Sequence, residues 1–163
     1  MIRWAHQDRA LGRPADALSA LDITLRPSHR GRGASRLVLD ALRERAAAMG
    51  YKRLFAPVRP TAKHLEPSTP MADYVARTTA DGLPADPWLR VHARAGGRVV
   101  KVAPTSMVVA GTIAGWRRWT AMEFAASGPV AVPGALAPVH VSLEQGHAAY
   151  VEPNVWVRHT VPG

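Results

Sequence analysis

The stretch from Leu21 to Arg59 constrains the fold more than any other part of this chain. It reads LDITLRPSHRGRGASRLVLDALRERAAAMGYKRLFAPVR. A β-prone segment, Leu21–Arg26, runs into a glycine-rich basic turn, Pro27–Ser35. Apolar residues then recur at Leu37, Val38, Ala41, Leu42, Ala46 and Met49, the three-and-four spacing of one helical face. Gly50 follows the last of them, where a left-handed cap is expected. Lys52–Val58 reads as a short strand, buried along Leu54–Val58. Strand, turn, helix and strand in this order predict an α/β (α+β) architecture, a mixed central sheet with flanking helices.

The turn carries the chemistry. Gly31 and Gly33 let the backbone approach a ligand closely. The amides of Gly31–Ser35 stand at a helix N-terminus, where unpaired N–H groups and the helix dipole favour an anion. Arg30 and Arg32 add positive charge. The pattern predicts a phosphate cradle, although a lone Gly-x-Gly is also compatible with a turn that binds nothing. There is no Gly-x-x-x-x-Gly-Lys-Ser/Thr, so it is not a P-loop. The third glycine of a dinucleotide fingerprint is also missing.

Composition bounds the partners. A chain of 163 residues with 47% hydrophobic and 20% charged residues is sized and composed for one domain. Without cysteine it can form neither disulfides nor thiolate zinc sites. The seven histidines form no ligand-spaced pair, so no metal is expected. The N-terminus, MIRWAHQDRALGRP, lacks the apolar core of a signal peptide. No apolar run of about 18 residues suggests a membrane span, so a cytoplasmic protein is expected. The net charge of +9 attracts polyanions, nucleic acid or the phosphates of a nucleotide-like ligand. No helix-turn-helix or RNP-like strand stands out, so nucleic acid is the second reading.

Arg30-Gly31-Arg32-Gly33-Ala34-Ser35 resembles the acyl-CoA pyrophosphate loop of the GNAT superfamily of N-acetyltransferases, Gln/Arg-x-x-Gly-x-Gly/Ala. Ser35 stands in the last small position. Val91–Gly97 is similar to the family's Leu-Tyr-x-Lys-x-Gly-Phe segment. Val91 stands for Leu, His92 for Tyr, Arg94 for Lys and Gly96 for the capping glycine, while Gly97 departs from the aromatic residue. The resemblance implies transfer of an acyl group from acetyl-CoA, or another acyl-CoA, to a small-molecule or protein amine. It implies that His92 takes the place of the tyrosine that protonates the departing thiolate. It places the reacting carbonyl near Thr24, Leu25 and Arg26, at a backbone N–H of the central strand. Asp22 is the candidate base, with Glu144 and Glu152 as further carboxylates. Alternation along the strand puts Asp22 and Thr24 on one face. A complete domain of this family has about three strands and two helices before the central strand. Only 20 residues precede Leu21 here, so an absent acceptor-side half is expected. A non-catalytic acyl-CoA-binding module stays open as an alternative.

Residues 1–20 read as a lead-in, with Trp4 as a packing residue and a turn at Leu11–Pro14. Residues 60–97 read as a loop and two helices, starting at Ser68-Thr69-Pro70 and Asp86-Pro87. Residues 98–163 read as C-terminal strands, at Arg98–Val102, Met107–Ile113, a hairpin of Pro138–Leu143 with Ala148–Val151, and an edge strand at Glu152–Val157. Trp116 and Trp119 bracket two arginines and are expected to pack. An exposed sheet edge makes a homodimer the expected assembly.

Overall fold

The computed structural model of the chain describes residues 2–29 and 31–162, without the side chains of residues 2–4. The spine is a 14-residue strand, β6 (His147–Thr160). Along one side it pairs antiparallel with a 15-residue strand, β3 (Arg98–Thr112). Along the other side two strands share it. Strand β5 (Val139–Ser142) pairs with its first residues and β2 (Arg53–Val58) with its last six. The sheet ends in β1 (Leu18–Ser19), parallel to β2, and β4 (Gly128–Val130), antiparallel to β5. The result is the expected mixed sheet with flanking helices. No helix among the described residues is long and apolar enough to cross a membrane.

Glu152–Val157 is therefore central, not an edge strand. The two strands expected at Arg98–Val102 and Met107–Ile113 are one strand, bent where the register shifts between Ala103 and Met107. Three residues, Pro104–Ser106, oppose Pro153 alone, as in a bulge. The buried set of β6 changes phase at the same place. Ala148, Tyr150, Glu152 and Asn154 are buried before it, and Val155, Val157 and His159 after it. A one-residue slip in a strand exchanges its faces. The first half of β6 thus joins a core with Trp116, Phe124 and Val139, and the second half one with Ala56, Val58, Met71 and Leu89.

The helix α2 (Ala34–Ala48) begins directly after the basic turn and stops at Met49. Gly50 takes the left-handed conformation expected of it, φ 80°. The buried stripe differs from the expected one. Leu39 and Ala46 are buried, whereas Leu37 is 70% and Met49 47% exposed. Apolar residues occur on more than one side of this helix, and packing of Ala46 against Leu54 and Val161 decides which side turns inward. N-terminal to it, the lead-in contains a helix, α1 (Ile2–Ala10).

Beyond residue 60, the short α3 (Met71–Val75) and α4 (Pro87–Arg94) begin where their proline signals predict. Asp86 caps α4, its carboxylate accepting from Trp88 N at 2.9 Å and Leu89 N at 3.0 Å. The segment after β3 is a helix, α5 (Ile113–Thr120), so the strand expected to end at Ile113 stops at Thr112. Thr112 caps it by accepting from Gly115 N at 3.1 Å. Trp116 packs as expected, donating from Nε1 to Ala148 O at 2.9 Å, while Trp119 is 54% exposed.

Candidate functional site

The segment Leu21–Arg26 is not a strand. Only Leu18 and Ser19 pair with β2, and Ala20 N adds one bond to Phe55 O at 2.8 Å. Beyond Ala20 the chain leaves the sheet. Its β-branched residues have no ladder to join there, and propensity without a partner strand does not make one. Pro57 marks the same parting from the side of β2. One residue's N–H and C=O point the same way in a strand, and Phe55 O faces Ala20. Two residues on, Pro57 turns its nitrogen toward the side from which the chain has departed, where no donor is required.

The parting opens a cleft of about 670 Å³. Residues 20–25 form one wall, Ala56–Arg59 of β2 and the loop after it another, and Ser35, Trp88 and His92 the rest. The structure thus brings together five residues singled out from the sequence: Asp22, Thr24, Leu25, Ser35 and His92. Asp22 and Thr24 are exposed and joined by a hydrogen bond, Thr24 Oγ1 donating to Asp22 Oδ2 at 2.8 Å. Their shared side comes from this bond, not from strand alternation. No backbone N–H of Leu21–Arg26 donates to another of the described residues. Arg26 is exposed and does not line the cleft.

The basic turn lies next to this cleft through Ser35. Gly31 and Gly33 are left-handed, φ 73° and 74°, and a Cβ on either would point into open space. No side chain caps α2, so its first amides are not engaged by a capping group. Arg32 is exposed on the turn and Ala34 opens the helix. Arg30 lies outside the described residues. Of the other carboxylates, Glu152 is buried, accepting from Tyr150 OH at 2.9 Å and Arg59 Nε at 3.1 Å. Glu144 is exposed in the β5–β6 turn. Neither lines the cleft.

His92 is the buried polar group of the cleft, 1% exposed. Its ring stands edge-on to Trp88, centroids 4.6 Å apart, and its Nδ1 is 2.9 Å from Nε2 of His159 on β6. Burial, with the neighbouring His159, holds its pKa down to about 4, so it is neutral at pH 7. The α4 helix that carries it is tied to α2 by Arg36, which donates to Arg94 O at 3.2 Å. Sequence reading did not find His159. It lies 67 positions from His92, and no short motif links them.

No protein-family model matches the chain. It is 37% identical to the arginine N-acetyltransferase avaD of Aspergillus versicolor, over 88% of this chain and 56% of that protein. The crystal structure of the loading GNATL domain of CurA from Lyngbya majuscula superimposes with a TM-score of 0.57 at 15% identity, over 95% of this chain and 61% of that one. The fold is GNAT-like. The chain spans a little over half the length of both proteins. In this GNAT-like fold, the cleft lies where β1 and β2 part and the basic turn opens α2 beside it.

Proposed function

We propose that this chain is an acyl-CoA-dependent N-acyltransferase that moves an acyl group, acetyl as first choice, to an amine by direct attack in a ternary complex. The observation that carries the reading is the cleft at the parting of β1 and β2, with the uncapped glycine turn beside it through Ser35 and a buried histidine in its lining. The relation to avaD supports N-acetyl transfer.

The chain's residues divide the work as follows. The amides of Gly31–Ser35, with Arg32 and Arg30, hold the pyrophosphate of the acyl-CoA. The open space over both glycines leaves room for it. The thioester lies in the cleft with its carbonyl oxygen toward the unengaged N–H groups of Thr24 and Leu25, which line it and stabilise the developing oxyanion. Attack by the amine nitrogen forms the C–N bond, and collapse breaks the C–S bond. His92, neutral at the start, takes the proton the amine loses and returns it to the departing thiolate. Asp22, exposed at the cleft wall, draws in the cationic amine and takes one proton from it, which it passes to solvent, so that the nitrogen attacks as the neutral amine. Because avaD is named for arginine, arginine is the first acceptor to offer.

The test is calorimetric titration of the chain and of Gly33→Trp with CoA and acetyl-CoA, followed by thiol release in the presence of arginine. The chain has no cysteine, so a thiol reagent reads only CoA. Binding by the parent, loss in the variant and arginine-dependent thiol release support the reading. No binding by the parent removes it. Binding without thiol release on any amine offered gives a non-catalytic acyl-CoA-binding module instead.

A further inference from the structure

Among the described residues that line the cleft, Arg59 is the guanidinium and Asp22 the carboxylate. The others are apolar or hydroxylic, apart from the imidazole of His92. Asp22 and Arg59 belong to the two walls that separate where β1 leaves β2. Counted from the last pair, Ser19 with Phe55, Asp22 and Val58 are level along the chain and Arg59 comes next.

The guanidinium is fixed by two groups that do not line the cleft. Arg59 Nε donates to Glu152 Oε2 at 3.1 Å, and Nη2 donates to Gly134 O at 2.6 Å. Glu152 is buried on β6 and accepts from Tyr150 OH at 2.9 Å. That hydroxyl in turn accepts from Leu136 N at 2.9 Å. An arginine has more N–H donors than these two bonds use, and Nη1 donates to none of the described residues. The side chain keeps 45% of its surface exposed. A planar fork already held in one rotamer loses little further entropy when a ligand binds to it.

Glu152 offsets the charge of Arg59 and leaves its free N–H groups available. Such a fork recognises a planar carboxylate by directed, charge-assisted hydrogen bonds. Asp22, on the other wall, suits an ammonium. One fixed guanidinium and one exposed carboxylate in a single cleft complement a zwitterion.

We propose that Arg59 binds the carboxylate of the acyl acceptor, so that the acceptor class is a free amino acid and not a simple amine. The inference rests on the acyltransferase reading and names the acceptor of that same cleft. Asp22 takes the ammonium end and Arg59 the carboxylate end. The bond changes are those of acyl transfer to the amine, and the carboxylate keeps its charge throughout.

Arginine, argininamide and agmatine separate the carboxylate from the rest of an acceptor, since argininamide carries a carboxamide in its place and agmatine lacks it. Thiol release with acetyl-CoA gives kcat/KM for each in the parent, Arg59→Lys and Arg59→Gln. The parent is expected to favour arginine over argininamide by about tenfold or more, the scale of a charge-assisted pair. Arg59→Gln is expected to abolish that preference through KM for arginine, with KM for acetyl-CoA unchanged. Arg59→Lys, which keeps a cation beside Glu152 and loses the fork, is expected to fall between, and it carries the comparison should Arg59→Gln not fold. A parent that acylates all three equally well overturns the proposal and leaves the acyltransferase reading standing. A variant that keeps the parent's preference overturns it too, as does a rise in KM for acetyl-CoA alone, which would assign Arg59 to the cofactor. If no amine gives thiol release, the acyltransferase reading fails. Calorimetric titration of the parent with arginine and argininamide then still decides: tighter binding of arginine supports the carboxylate site, and equal or absent binding removes it.

Discussion

Lys63 Nζ donates a 2.8 Å hydrogen bond to the main-chain carbonyl of Leu136, 73 residues away. Two further carbonyls, of Glu66 at 2.7 Å and Pro67 at 3.2 Å, take the remaining donors. The ammonium is 1% exposed and lies 5.9 Å from the centre of the Tyr74 ring. Burial lowers its pKa. It ties the loop after β2 to the loop before β5, across the core that holds α3 and α4 in place. Removing it leaves the carbonyls of Leu136 and Pro67 without a donor, while Glu66 O keeps the amide of Thr69 at 3.1 Å. Lys63→Met is expected to cost about 3 kcal/mol, the scale of losing charge-assisted bonds to buried acceptors. Urea denaturation checks this, and a cost under about 1 kcal/mol would show that water replaces the ammonium.

Asp86 joins four donors. Besides the two capping amides, its Oδ2 accepts from Ala62 N at 3.0 Å and Tyr74 OH at 2.8 Å. Burial and the bond to Asp86 raise the Tyr74 pKa far above the ordinary phenol range. Asp86→Ala removes a helix cap, about 1 kcal/mol, and leaves a buried phenol unpaired, about 1–3 kcal/mol. Because α4 carries His92, the same variant is expected to weaken protection of the α4 amides in hydrogen exchange. Unchanged exchange along α4 would mean the cap does not hold the helix.

The two buried histidines make the fold acid-sensitive. Burial lowers the pKa of both, that of His92 to about 4 from 6.5. The unfolded chain therefore binds more protons than the folded one between those values. The stabilisation is fully present above about pH 6.5 and is lost as pH falls toward 4. Between pH 7 and pH 5 His92 alone is expected to account for about 2 kcal/mol, and His159 adds in the same direction. Denaturation midpoints of the parent and of His92→Phe across this range test it. The variant should show the shallower slope, and equal slopes reject the assignment.

Gly97→Ala places a methyl group within 2.7 Å of both the His159 ring and His92 O. Overpacking of this kind costs about 1–3 kcal/mol. Part of the strain involves a side chain and part involves backbone, so His159→Ala should relieve the first and leave the second. A double-mutant cycle on stability is expected to show a positive coupling between the two positions. Additivity within error would place the Gly97 requirement wholly on the backbone.

The parts legible in the sequence are those set by near neighbours. Asp86-Pro87 announces α4 because a cap needs only amides two and three residues on. Gly50 and Gly96 adopt the left-handed backbone that ends a helix. The turn at Gly31 and Gly33 before α2 is likewise local. Even the missed helix α5 carried such a signal, since Thr112 is its cap.

What only the tertiary structure decided depends on partners distant along the chain. Leu21–Arg26 has the composition of a strand and becomes a cleft wall, because β2 parts from it and no other strand among the described residues pairs with it. The inward side of α2 follows from where Leu54 and Val161 stand. Pro104–Ser106 reads as a break, yet β6 continues past it and keeps β3 whole. His92 was legible as a candidate, but its buried partner His159 lies 67 positions away and meets it only in the fold. By itself, the sequence determined elements and caps, whose free energies come from contacts within a turn or two. Sheet pairing, the inward face and the buried histidine pair come from groups that meet only when the whole chain has folded.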